Sequence, residues 1–196
     1  EVAVADVAHT LRHRRSSLAY RAVVAGVNRD ELVSGLAALP VPTQPTAGDG
    51  AATLLFPGQG SERPGMAAKA YAEDSVFRDH LDDALGSLPE ADAARLRDYL
   101  LDPTDPGHGT ALAQPALLAV QYSHARAWEA AGLEVAGIIG HSVGELTAAC
   151  LAGVFTLGDG MRLAAARGRL VARSGPGAML AVRLHPDALA ERLVDI

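Results

Sequence analysis

The sequence predicts an α/β protein with a parallel-sheet core, preceded by a small α+β unit. Three observations carry this expectation. Gly140-His141-Ser142-Val143-Gly144 lies between a short apolar run, Val135-Ala136-Gly137-Ile138-Ile139, and an Ala- and Leu-rich stretch over 145–153, the order strand, sharp turn, helix. A second apolar run, Ala52-Thr53-Leu54-Leu55-Phe56, ends in the glycine-flanked loop Pro57-Gly58-Gln59-Gly60-Ser61, and helical patterns fill the interval between the two runs. Residues 40–51 hold three prolines and two glycines with no apolar periodicity, so they read as a linker and the best internal boundary.

The chain of 196 residues has room for one good-sized domain, or one with a smaller appendage. With 20% charged residues and a formal net charge of −6, its overall field attracts neither nucleic acid nor an anionic membrane, and both are set aside as partners. No uninterrupted apolar segment reaches spanning length, and the opening Glu1-Val2-Ala3-Val4-Ala5-Asp6 lacks the layout of a signal peptide, so the expected location is cytoplasmic. The single cysteine, Cys150, has no partner for an internal disulfide and reads as a small core residue of the helix after the serine.

Taken in order, residues 4–15 place Val4, Val7, Ala8 and Leu11 at helical spacing and end in the basic run Arg12-His13-Arg14-Arg15, a charge placement that the helix dipole favours. Residues 18–26 have strand composition, and 28–39 read as a helix capped by Asn28. Residues 1–39 therefore form an expected α-β-α unit. Helical patterns follow over 66–71, 76–85 and 91–101, then a loop over 102–109. Gln114-Pro115 opens a helix expected to run to about 131, with the proline in the first turn, where its missing N–H costs nothing. A further helix is expected over 157–174, broken by Gly175-Pro176-Gly177; residues 178–182 then read as a strand and 186–194 as a helix.

Gly-x-Ser-x-Gly at this junction is the pattern of a nucleophile elbow, in which a strained turn exposes the serine Oγ and the following helix directs backbone N–H groups at an oxyanion. Ser142 is thus the candidate catalytic nucleophile. The Val143 N–H is one candidate oxyanion donor, and an N–H of the Gln59 loop is the other if the two strand ends are neighbours. A base is harder to find. His141 is adjacent to Ser142 and should diverge from it around the turn, whereas His9, His13, His80, His108, His124 and His185 have no supporting motif and read as surface or locally bonded histidines. Read from its own helix, Arg167 is a solvated arginine like Arg169.

Four motifs in order resemble the acyltransferase domain of modular type I polyketide synthases, related to malonyl-CoA:acyl-carrier-protein transacylases: Phe56-Pro57-Gly58-Gln59-Gly60-Ser61, Gln114-Pro115-Ala116-Leu117, Gly140-His141-Ser142-Val143-Gly144-Glu145 and Ala166-Arg167-Gly168. Residues 1–39, with the run from Arg15 to Val23, resemble the adaptor that links a ketosynthase to its acyltransferase. The resemblance implies an α/β-hydrolase-like parallel-sheet core over 52–177, a linker domain over 1–39, a flexible connection over 40–51, and the start of a ferredoxin-like subdomain over 178–196. It implies that Ser142 takes the acyl group from acyl-CoA, that the Gln59 and Val143 N–H groups hold the oxyanion, and that Arg167 binds the free carboxylate of a malonyl-type unit. It implies further that His141 lines the acyl pocket and that Gln114 sits nearby.

The same resemblance implies an acyl carrier protein and the ketosynthase of the same polypeptide as partners, a homodimeric parent synthase, and no metal or redox cofactor, the phosphopantetheine being on the carrier. Val143, Thr110 and Gln114-Pro115-Ala116-Leu117 look more like malonyl-selecting than methylmalonyl-selecting members. The family's catalytic histidine lies far beyond the serine, past the ferredoxin-like subdomain, so the sequence is expected to be a piece of a longer polypeptide that lacks full transfer activity alone. Two other readings stay open: a serine hydrolase or esterase sharing the elbow, against which Gln59 and Arg167 argue, and a catalytically silent scaffold piece of a synthase.

Overall fold

The computed structural model describes residues 3–16, 18–40, 51–105, 110–174 and 182–192. They divide into two compact units, 1–51 and 52–196. In the first, α1 (Val4–His13) and α2 (Arg29–Ala37) are the regular elements. A reciprocal cap starts α2: the Asn28 side chain accepts from the Glu31 N–H at 2.9 Å, while the Glu31 carboxylate accepts from the Val27 N–H at 3.0 Å and the Asn28 amide at 2.9 Å. The strand expected over 18–26 is not formed in the described residues. Its composition favours extended backbone, but a strand needs a partner's hydrogen bonds, and the described residues of this unit offer no ladder.

In the second unit β1 (Ala52–Phe56) and β2 (Val135–Gly140) pair in parallel, with Leu54 beside Ile138 and Phe56 beside Gly140. A parallel pair needs a long crossover. Here it comprises α3 (Ala68–Glu73), α4 (Ser75–Gly86), α5 (Glu90–Leu101) and α6 (Thr110–Ala130). After β2 come α7 (Val143–Leu151), α8 (Leu157–Arg173) and α9 (Pro186–Arg192). The expected helix breaker at 175–177 and most of the strand expected over 178–182 lie outside the described residues, as do residues 41–50 of the expected linker and His108.

The core is helical. Phe77, Leu81 and Leu85 of α4, Leu96 and Leu100 of α5, Leu118 of α6 and Met161 of α8 are all buried in one cluster, each such side chain stabilising by roughly 1.5–3 kcal/mol. The central element is α6, which packs on α4, α7 and α8, and α7 in turn packs on both strands. This fixes the C-terminal edge of the sheet against two helices. The opposite sheet face carries Leu55 and Ile139, paired with each other and 70% and 55% exposed.

Pro115 lies further into its helix than the sequence suggests, because α6 starts at Thr110. The missing N–H then removes a bond to the Ala111 carbonyl instead of coinciding with a free N-terminal position. Burial outweighs that loss: residues 113–119 are buried without a break.

Candidate active site

The sharp turn after β2 puts Ser142 at φ 57°, ψ −115°, a positive φ that no other non-glycine among the described residues adopts. Such a backbone costs on the order of 1–3 kcal/mol and persists only where its surroundings enforce it. The enforcement is visible on both sides of the serine. The His141 N–H donates to the Phe56 carbonyl at 3.0 Å, the Gly144 N–H to the His141 carbonyl at 2.9 Å, and the Glu145 N–H to the Ser142 carbonyl at 3.1 Å. Both motif glycines are required by close approach. A Cβ at Gly140 would run into the Gly144–Glu145 peptide, and one at Gly144 into the Phe56 carbonyl. The pattern that marks the elbow in sequence is therefore the imprint of β2, the first turn of α7 and the end of β1 meeting backbone to backbone.

Two side chains from other helices converge on this turn. From α8, the Arg167 guanidinium donates through Nη2 to Ser142 Oγ at 3.1 Å and through Nη1 to Gln114 Oε1 at 2.8 Å. Gln114 is 2% exposed on α6, so its carbonyl oxygen is a fixed acceptor that holds the cation in place. Arg169, two residues further on, points to a different side of α8 and makes an exposed pair with Asp92 of α5 at 3.3 Å. The two arginines, indistinguishable along the sequence, differ in that Arg167 is half-buried beside the serine.

Val143 opens α7 and is buried, and its N–H belongs to the first-turn donors that have no intrahelical partner. Gln59 is exposed in the loop after β1, alongside the turn because β1 and β2 are neighbours. His141 is exposed, with its ring against Gly58. Among the described residues no histidine or carboxylate bonds to Ser142 Oγ: His124 packs on Phe77 with ring centroids 4.6 Å apart, His80 meets Tyr122 edge-on at 5.9 Å, His9 stacks on His13, and His185 pairs with Asp187. Nor do the described residues hold a group of three or more His, Cys, Asp or Glu side chains suited to a metal ion, and no helix among them is long and apolar enough to cross a membrane.

One contributor escapes the sequence reading. Gln121 of α6 donates through Nε2 to the Pro57 carbonyl at 2.9 Å and accepts through Oε1 from the Thr147 hydroxyl of α7 at 2.7 Å. Its position seven residues after Gln114 puts both glutamines on one side of a largely apolar helix, which is a signal the sequence does contain.

A serine hydroxyl held at a helix N-terminus, beside a cation fixed by a buried amide, is suited to attack a carbonyl of a substrate that carries a negative charge. Residues 53–196 match the family model described as the acyl transferase domain, and the chain belongs to that family. It is 42% identical over 202 residues to the spectinabilin polyketide synthase system protein NorA' of Streptomyces orinoci, covering 97% of this chain and 6% of the relative. It is 41% identical over 204 residues to the polyketide synthase GfsA of Streptomyces halstedii, covering 98% of this chain and 3% of that protein. Among solved structures, the acyltransferase domain from module 8 of the salinomycin polyketide synthase matches with a TM-score of 0.72 at 35% identity, over 99% of this chain and 48% of that one. The acyltransferase domain of SpnD, in complex with 2-(pent-4-yn-1-yl)malonyl, matches with the same TM-score and identity over 89% and 42%. The chain thus spans a small part of the synthases and somewhat under half of the solved acyltransferase chains. These matches agree with the α/β class expected from the sequence.

Proposed function

We propose that this chain carries the nucleophile half of an acyltransferase site that loads an extender unit, malonyl by the residues present, from acyl-CoA onto the phosphopantetheine thiol of an acyl carrier protein during polyketide assembly. The observation that carries this reading is the Arg167 guanidinium beside Ser142 Oγ, anchored on Gln114. In the first step Ser142 Oγ attacks the thioester carbonyl, its proton passes to a base, the oxyanion is held by the Val143 and Gln59 N–H groups, and coenzyme A leaves as its thiol. In the second the carrier's thiol attacks the serine ester and Oγ regains a proton. Arg167 offers a planar, permanently charged donor set to the free carboxylate of a malonyl unit, and His141, beside the Gly58 backbone, lines the acyl pocket. The family resemblance assigns the base to a histidine.

Residues 1–39 serve in this proposal as the adaptor to a ketosynthase of the same polypeptide, and the synthase works as a homodimer in the cytoplasm. The chemistry calls for no metal or redox group. Intact-mass analysis of the full-length protein incubated with malonyl-CoA tests the reading: a malonyl ester on Ser142 that passes to a carrier protein is expected. Hydrolysis of simple p-nitrophenyl esters without a thiol acceptor, with no such ester found, would instead point to an esterase.

A further inference from the structure

We infer that Gln121 is a positioning residue for the acyl-transfer site: its side-chain amide ties the exit loop of β1 to the nucleophile helix α7 and so sets the direction of the Gln59 peptide. The inference rests on the proposed function, since it concerns one of that site's oxyanion donors. Its geometric basis is a single amide that spans two elements far apart in sequence, Pro57 at the end of β1 and Thr147 on α7. Neither end of the amide can be exchanged for the other. The Pro57 carbonyl only accepts, so the NH2 group must face it, and Oε1 is then left for the Thr147 hydroxyl, which is completely buried.

The Pro57 carbonyl and the Gly58 N–H belong to one rigid peptide plane, so holding the oxygen holds the plane. Beyond that plane the chain reads Gly58-Gln59-Gly60, and a residue with glycine on both sides does not fix its own peptide orientation. Contacts on either side of it help to fix it. Downstream, Gly60 sits at φ +127° and its N–H donates to the Glu62 carboxylate at 2.6 Å. Upstream, Gln121 clamps Pro57, and Gly58 is pressed so near the His141 ring that a Cβ there would lie 2.8 Å from Nδ1. Gln59 therefore lies between two clamps, and the Gln121 clamp is the one anchored on the helix that carries the serine turn. Because Thr147 is one turn along α7 from Val143, the amide also sets the loop relative to the Val143 N–H, the other candidate donor.

Arg167 is held separately by Gln114, so loss of the Gln121 bridge should reach the transition state through the loop donor and leave carboxylate binding alone. That gives the experiment its sign. In the full-length protein, Gln121→Glu keeps the length and the acceptor for Thr147 but turns a carboxylate oxygen on the Pro57 carbonyl, and Gln121→Met keeps the length with no polar bridge. Single-turnover acylation of Ser142 by malonyl-CoA is followed by quench and intact mass across donor concentration, beside thermal unfolding. Both variants are expected to lower the maximal acylation rate about 10- to 100-fold, with the half-saturating donor concentration within about twofold of wild type, the scale of a displaced donor.

Thr147→Val, which frees the amide oxygen without touching residue 121, supplies a second route if the Gln121 variants unfold. It is expected to lose maximal rate as they do, and Thr147→Ser to restore it. Wild-type rates in Gln121→Glu and Gln121→Met, or in Thr147→Val, would overturn the inference, as would a loss confined to half-saturation. A wild-type protein that forms no Ser142 ester at all would overturn the proposed function and this inference together, whereas a wild-type ester formed equally fast in the variants would overturn this inference alone.

Discussion

Arg167 and Ser142 stand 25 residues apart in the chain, yet Nη2 of the first donates to Oγ of the second at 3.1 Å. Nothing local to either residue produces this contact. It requires α8 to lie along α6 so closely that small residues form much of the seam, and Gly160, Ala164, Ala165 and Gly168 are four of the buried positions of α8, with Met161 the large one. With the seam closed, Gln114 of α6 meets Nη1 at 2.8 Å and the guanidinium has a defined place. A cation is thereby held at Ser142, the proposed nucleophile, before any substrate is present, which is the preorganised arrangement that makes electrostatic stabilisation effective.

Replacing Arg167 by alanine in the full-length protein should remove a charged hydrogen-bond partner worth about 1.5–3 kcal/mol, or roughly a tenfold to hundredfold loss, in Ser142 acylation by malonyl-CoA. Acylation by acetyl-CoA, which has no free carboxylate, should fall much less. Arg167→Lys should resemble alanine more than wild type, because a point charge replaces a fork that reaches Gln114 and Ser142 together. Competition between the two donors, read by intact mass, checks both statements; unchanged selectivity in Arg167→Ala would remove the assigned role.

Gln114 acts on the same cation from behind. Gln114→Glu should hold the guanidinium with a carboxylate in place of an amide, and that buried anion would compete with the substrate's carboxylate for the remaining donors. The expected result is a half-saturating malonyl-CoA concentration raised about tenfold, with the maximal rate less affected. Gln114→Met, of similar length but with no amide acceptor, should instead release Arg167 and approach the Arg167→Ala phenotype. Donor-saturation curves for the two variants separate the outcomes.

Gly144 offers a test of the turn itself. Alanine there would gain up to about 1 kcal/mol of helix propensity, but its Cβ would run into the Phe56 carbonyl, and the backbone shift that relieves such overlap typically costs about 1–3 kcal/mol or more. Steric cost should prevail. Gly144→Ala is expected to lower the thermal unfolding midpoint and to abolish Ser142 acylation, since relief of the overlap moves α7 away from β1. A variant at least as stable as wild type would mean that the contact yields easily.

The elbow was legible because its constraints are local. Strand, turn and helix fall within residues 135–151, and the glycines required by backbone contact are the motif itself. β1 and its loop were legible for the same reason. Residues 18–26 misled because side-chain preference for extended backbone says nothing about whether a partner strand is at hand. Pro115 misled because the usual place of proline in a first turn yields, in α6, to the burial of the segment around it. Arg167 could not be told from Arg169 by helix position alone, and the family resemblance supplied what the local sequence lacked. Gln121 left a trace in the sequence, a glutamine on a largely apolar helix seven residues from another, but its partners Pro57 and Thr147 emerge only with the tertiary packing.

Cys150 provides a check on α7 that is independent of acyl transfer. Its side chain is 5% exposed, and its sulfur sits where a Cβ on Gly160 would have to go. Burial pushes the thiol above its ordinary range, and the nearby Asp159 carboxylate pushes in the same direction. Because the folded state favours the protonated thiol, the stabilisation is fully present below the thiol's unfolded pKa and is lost as pH rises through the higher folded value. Native protein should therefore resist iodoacetamide at neutral pH, and alkylation should follow unfolding by denaturant, read as a mass increment on the peptide that contains Cys150. Rapid labelling of the native protein would mean that α7 and α8 part readily. Gly160→Ala should produce that state, because the added methyl displaces the sulfur and with it the α7–α8 contact.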